Sequence, residues 1–172
     1  MTDAQDKSIR GYVAWMSIAL LVVAADQATK WAIVEFLPLY DKYQLSSFLN
    51  LTHHQNTGAA FSFLADAGGW QRWFFVVLAT AVSGVIAVWL YRIRENGPLI
   101  LMAGLSLVLG GAIGNLIDRA RLGYVTDFVQ VKFAGVPFLD PFPSFNVADA
   151  AITVGAAFLI IDALFLSGRK GS

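Results

Sequence analysis

The chain of 172 residues has no cysteine, two histidines, five prolines and no excess of either charge, 12 basic residues balancing 12 acidic ones. Without cysteine there is no disulfide framework, thiol nucleophile or thiolate-bound metal. The histidines, His53 and His54, are adjacent, so no zinc set can be built from separated imidazoles and no such metal site is expected. A formal net charge of zero offers no field for nucleic acid or an acidic partner. Charge is also scarce in total. Charged residues make up 14% of the chain against 57% hydrophobic ones, and the mean hydropathy of +0.62 is that of a bilayer protein rather than a soluble domain.

Four apolar stretches, at about 11–36, 70–91, 98–117 and 146–166, are long enough for a hydrocarbon core that takes ~20 helical residues. The first is apolar without interruption only over 12–25, so its helix must run on through Asp26 and Lys30, an acid and a base at i and i+4 on one face. Lys7 and Arg10 precede it as in a signal peptide. The run nevertheless leads into Asp26-Gln27-Ala28-Thr29-Lys30 without a small-residue cleavage site, so a retained helix is expected. Trp70, Trp73, Trp89 and Tyr91 flank the second stretch as an aromatic belt does. Asn96-Gly97-Pro98 is a tight turn into the third, whose glycines at 104, 110, 111 and 114 include a Gly-xxx-Gly pair that permits close helix contact.

Between 37 and 69 short apolar runs are broken by turn residues. One or two strands are expected over 43–52, a turn at Asn56-Thr57-Gly58, a short helix over 59–64 and a helix cap at Asp66. Residues 123–133 alternate, with Val125, Asp127, Val129, Val131 and Phe133 on one face; an extended half-buried segment is the preferred reading, though a short interfacial helix is compatible with so few residues. No repeat or linker divides the chain, so the expectation is one all-α membrane domain of four transmembrane helices. Both termini then lie on one side. The basic pairs Lys7/Arg10, Arg92/Arg94 and Arg169/Lys170 share that side, which the positive-inside rule makes cytoplasmic.

That topology gathers Asp26, Lys30, Asn56, Asn115, Arg119, Asp127, Asn146 and Asp149 at the outer ends of the spans. On the third helix Gly111, Asn115 and Arg119 recur at i+4, a stripe that could line a cleft. For Asp149 alone, capping and catalysis stand level, because Asn146 is a good N-cap and an acid three residues on suits the helix dipole. Asp127, on an apolar face, is explained by neither solvation nor capping. Two carboxylates at a water-accessible boundary cannot both ionise cheaply, and a pair sharing one proton is the chemistry of aspartic proteases. The remaining acids read as structural: Asp118 paired with a nearby arginine, Asp140 solvated, and Asp162 roughly 20 Å along the helix from Asp149.

Five blocks occur in order: Asp26-Gln27-Ala28-Thr29-Lys30, Asn56-Thr57-Gly58-Ala59-Ala60-Phe61-Ser62, a third from Gly110 to Asn115-Leu116-Ile117-Asp118-Arg119, Val125-Thr126-Asp127-Phe128, and Phe145-Asn146-Val147-Ala148-Asp149. Together they resemble the lipoprotein (type II) signal peptidases, four-helix bacterial membrane aspartic proteases. The resemblance implies Asp127 and Asp149 as the catalytic dyad, and Asn56, Gly58, Asn115, Arg119 and Asn146 as substrate-binding or site-shaping residues. Asp26, Lys30, Gly111 and Asp118 would give structural support, and a small β-sheet cradle would form in the first outer loop. It further implies diacylglyceryl-modified prolipoproteins as substrates, cleavage just before the lipidated cysteine, globomycin as inhibitor, no cofactor, a monomer in contact with membrane lipid, and an active site near the outer face of the bacterial inner membrane. His53-His54 is outside the family pattern and receives no role. The competing reading is a proton-coupled transporter or channel subunit, which would distribute ionisable groups through the bilayer's depth.

Overall fold

The computed structural model describes residues 2–58, 69–133, 136, 140 and 142–166, with the side chains of residues 2–8 and 166 outside the description. The short helix expected over 59–64, the cap at Asp66 and the basic pair Arg169/Lys170 lie outside the described residues. Four helices carry the chain: α1 (Thr2–Phe36), α2 (Trp70–Ile93), α3 (Leu99–Arg121) and α4 (Val147–Ile161), the last continuing as a π-helical turn, Asp162–Leu166. Each is long and apolar enough to span a bilayer, over Ile9–Phe36, Trp70–Ile93, Leu99–Arg121 and Val147–Phe165, and the protein is a multi-pass membrane protein. Helix α1 starts well before the apolar run because no proline interrupts residues 2–10. Helix α3 extends past 117 to include Asp118 and Arg119, the residues that face the site.

Helix α3 is the central element, packing against each of the other three helices. Its glycines let α1 and α4 approach closely, Gly110 and Gly114 on the side of α1 and Gly104 and Gly111 on the side of α4. A Cβ on Gly110 would lie 2.7 Å from the Ala19 carbonyl oxygen of α1, while one on Gly111 would collide with the carbonyl oxygen of Ala148 in α4. Gly111 therefore seats α4 and does not line a cleft. Leu90, Leu105, Leu109, Met102, Ile86 and Ala19 form the apolar core between α1, α2 and α3. The outward faces remain apolar, and Trp70, Trp73, Trp89 and Tyr91 are all exposed near the ends of α2.

At one end of the bundle sits an antiparallel sheet of β1 (Lys42–Gln44), β2 (Leu49–Asn56) and β3 (Val125–Val131), in the order β1-β2-β3. It is not confined to the first loop, as expected, but takes its third strand from the segment after α3. A register shift between Leu51 and His54 sets His54 opposite Asp127 and Asn56 opposite Val125, bringing the two segments' functional residues side by side. Strand β3 is buried on both faces at its start, Thr126 and Phe128 as well as Val125 and Asp127, because it is wedged between β2 and the ends of α1 and α3. Phe145 then bridges to Val129, its N–H 2.9 Å from the Val129 carbonyl, and delivers the start of α4 to the same place.

Candidate functional site

The site rests on a buried ammonium. Lys30 Nζ lies 2.8 Å from Asp26 Oδ2, 2.9 Å from Asp118 Oδ2 and 2.9 Å from Asn115 Oδ1, three acceptors for three donors. The expected pairing of Asp118 with an arginine is corrected: adjacent helical residues do not face each other, and Asp118 turns toward α1 while Arg119 turns away. Each acid then reaches beyond the ion pair. Asp118 Oδ2 accepts the Thr126 N–H at 3.2 Å, and Asp26 Oδ1 accepts the Ala148 N–H at 2.9 Å. One ionic cluster thus anchors both β3, which carries Asp127, and α4, which carries Asp149. Gln27 completes it, donating to Asp118 Oδ1 at 2.9 Å and to the Gly114 carbonyl at 3.2 Å. Sequence reasoning missed this role, although an amide beside an intramembrane acid was the available signal.

Two asparagines convert that anchor into an orientation. Because Lys30 can only donate, Asn115 must turn its oxygen to the lysine and its Nδ2 to Asp149 Oδ1, 2.8 Å away. Asn146 is the N-cap of α4: its Oδ1 accepts the Asp149 N–H at 2.9 Å, and its own N–H reaches Asp149 Oδ2 at 3.3 Å, a capping box. That fixes Asn146 Nδ2 toward Asp127 Oδ1 at 2.7 Å. Asn56 donates to the other oxygen, Asp127 Oδ2, at 3.0 Å. Both carboxylates are therefore held by amide donors, and Asn146 touches both.

They open onto a cleft of about 510 Å³. Its polar wall comprises Asn56, Asn115, Arg119, Asp127 and Asp149; its apolar wall comprises Phe142, Phe145, Ile152 and Val154. Arg119 is set by a bond from Nη2 to the Gly58 carbonyl at 2.8 Å and by the ring of Phe75, 5.0 Å from its guanidinium carbon. Two residues expected to bind substrate stand behind the wall instead of in it. Asn146 is 0% exposed and holds the carboxylates from below, and Gly58 is buried with its carbonyl occupied by Arg119. The Asp127 carboxyl is pushed up to about 7, chiefly by burial and then by the charge of Asp149, against the opposing donors Asn56 and Asn146 and the more distant Lys30. His53 and His54 do not join the cleft. His53 Nδ1 meets the Leu37 carbonyl at 2.8 Å, tying the end of α1 to β2, and His54 packs edge-on to Tyr40.

The architecture defines a polytopic membrane protein with a carboxylate-paired cleft at one end of its helical bundle. Residues 18–165 match the model of the signal peptidase II family. The chain is 46% identical over 156 residues to the lipoprotein signal peptidase of Acinetobacter baylyi, covering 91% of this chain and 84% of that one. It is 49% identical over 153 residues to that of Pseudomonas putida, covering 88% and 87%. A solved bacterial membrane enzyme superimposes with a TM-score of 0.77 at 33% identity, over 92% of both chains. This chain belongs to the signal peptidase II family.

Proposed function

We propose that the protein is a membrane aspartic endopeptidase that removes the signal peptide from diacylglyceryl-modified prolipoproteins, cutting just before the lipidated cysteine. The observation that carries the reading is the pair Asp127 and Asp149, both held by Asn146 and both facing one cleft. The pair shares one proton. The ionised member takes a proton from a water molecule, the water oxygen attacks the scissile carbonyl carbon, and the protonated member passes its proton to the leaving nitrogen as the C–N bond breaks. Arg119 and Asn56, on the cleft wall, supply donors for the substrate backbone.

The cleft's apolar wall descends along α4 through Ala150, Ile152, Thr153 and Val154, which suits a substrate that arrives with its lipid in the bilayer. Both termini are assigned to the cytoplasm and the cleft to the outer face of the inner membrane, on the basic pairs at the opposite helix ends. Membrane lipid, globomycin as inhibitor and a monomeric state complete the reading. A proton-coupled transporter finds no supporting observation, since the cluster of Asp26, Lys30, Asp118, Asp127 and Asp149 sits at one end of the bundle. The test is incubation of the purified protein with a diacylglyceryl-modified precursor beside its unlipidated form. Selective cleavage of the lipidated form is expected; equal cleavage of both, or none, contradicts the proposal.

A further inference from the structure

The first two turns of α2 grip Arg119 twice, once by its backbone and once by its side chain. Arg72 donates from Nε to the Arg119 carbonyl at 2.9 Å and from Nη2 to the Ala120 carbonyl at 2.8 Å, so its guanidinium closes the C-terminal end of α3. Three residues on, and so on the same side of α2, Phe75 lays its ring against the Arg119 guanidinium. Gly123, with φ +87°, turns the chain out of α3 beside Arg72 in the left-handed region that favours glycine. Arg119 itself has little else to hold it. Its Nη2 bonds the Gly58 carbonyl, while its Nε is buried with no acceptor among the described residues.

We propose that Phe75 and Arg72 are positioning residues that set how far the Arg119 guanidinium reaches into the substrate cleft. Neither lines the cleft, and neither touches the carboxylates. The proposal rests on the reading that Arg119 contacts substrate, and it makes α2, otherwise a lipid-facing helix, a contributor to substrate affinity. Phe75 supplies a face against which the planar guanidinium stays flat, and Arg72 fixes the height of the peptide unit from which Arg119 projects.

The experiment measures kcat and KM on a diacylglyceryl-modified precursor for Phe75→Leu, Phe75→Tyr, Arg119→Ala and the double variant Phe75→Leu/Arg119→Ala. Loss of the ring is expected to raise KM about three- to ten-fold, the size of one partly desolvated cation–π contact, with kcat nearly unchanged. Phe75→Tyr, which keeps the ring face, is expected to restore most of the affinity. The double variant should be no worse than Arg119→Ala alone, because the ring acts only through that arginine. A raised KM for Arg119→Ala with a normal KM for Phe75→Leu, or effects that multiply in the double variant, overturns the positioning proposal. A normal KM for Arg119→Ala overturns the underlying assignment of Arg119 to substrate. Should Phe75→Leu fail to accumulate, Arg72→Gln is read in the same cycle with the same outcomes.

Discussion

The Asn146 amide donates to Asp127 Oδ1 at 2.7 Å while its oxygen caps α4 at the Asp149 N–H. One side chain thus couples the folding of a helix terminus to the spacing of two carboxylates that come from different elements. Replacing it should affect both properties together. Asn146→Ala is expected to lower stability by ~1 kcal/mol for the lost cap and to lower kcat as well, whereas Asn146→Ser, which still caps, should recover stability without recovering kcat. Thermal unfolding in detergent set beside cleavage rates checks this. Full activity in Asn146→Ser would show that capping is its only role.

The Lys30 cluster carries a different expectation. Lys30→Met leaves Asp26 and Asp118 facing each other in the bundle without a counter-ion, and breaking a buried pair from one side costs about 3–5 kcal/mol. The variant should accumulate poorly or melt far below the wild type. Lys30→Met/Asp118→Asn, which removes one of the stranded charges, should recover part of the loss. Melting temperatures of the two variants decide it, and an unchanged melting temperature for Lys30→Met would contradict the anchoring role.

A third expectation follows from protonation. With the Asp127 carboxyl pushed up to about 7, the folded protein keeps a proton that the unfolded chain gives up near pH 4. Stability from this group is fully present below pH 4 and is lost as pH rises through 7. Asp127→Asn, a permanently neutral replacement, should therefore show a shallower fall in melting temperature from pH 4 to pH 8 than the wild type. The rate kcat/KM of the wild type should fall on the alkaline side as the shared proton is lost near pH 7. Melting curves and a pH–rate profile test both statements. A flat profile between pH 6 and 8 would contradict them.

Three spanning helices were legible as apolar runs of bilayer length, the first because its shorter run can cross only by continuing through Asp26 and Lys30, and the Asn146 cap because Asn-x-x-Asp is a local pattern. The pairing of β2 with β3 was not. It joins residues roughly 70 to 80 apart, and its register depends on an irregularity between Leu51 and His54 that no local signal announces. Likewise Asp127 could be placed on a buried face, but the burial of Thr126 and Phe128 on the other face comes from α1 and α3 closing over the strand. Asp118 was given the wrong partner because the rotation of α3 about its axis is set by its glycines, each fitted to a particular neighbour. Those same glycines showed only that some close helix contact exists.

The central claim is that Asp127 and Asp149 act as one catalytic unit, and it is tested most directly by conservative replacement of each. Asp127→Asn and Asp149→Asn, purified as folded membrane proteins, are assayed for cleavage of a diacylglyceryl-modified precursor, alone and in combination. Each single variant is expected to lose at least about a hundred-fold in rate, the lower end of what a general acid or base contributes, with the double variant little worse than either. Cleavage at the wild-type rate by either single variant would contradict the account.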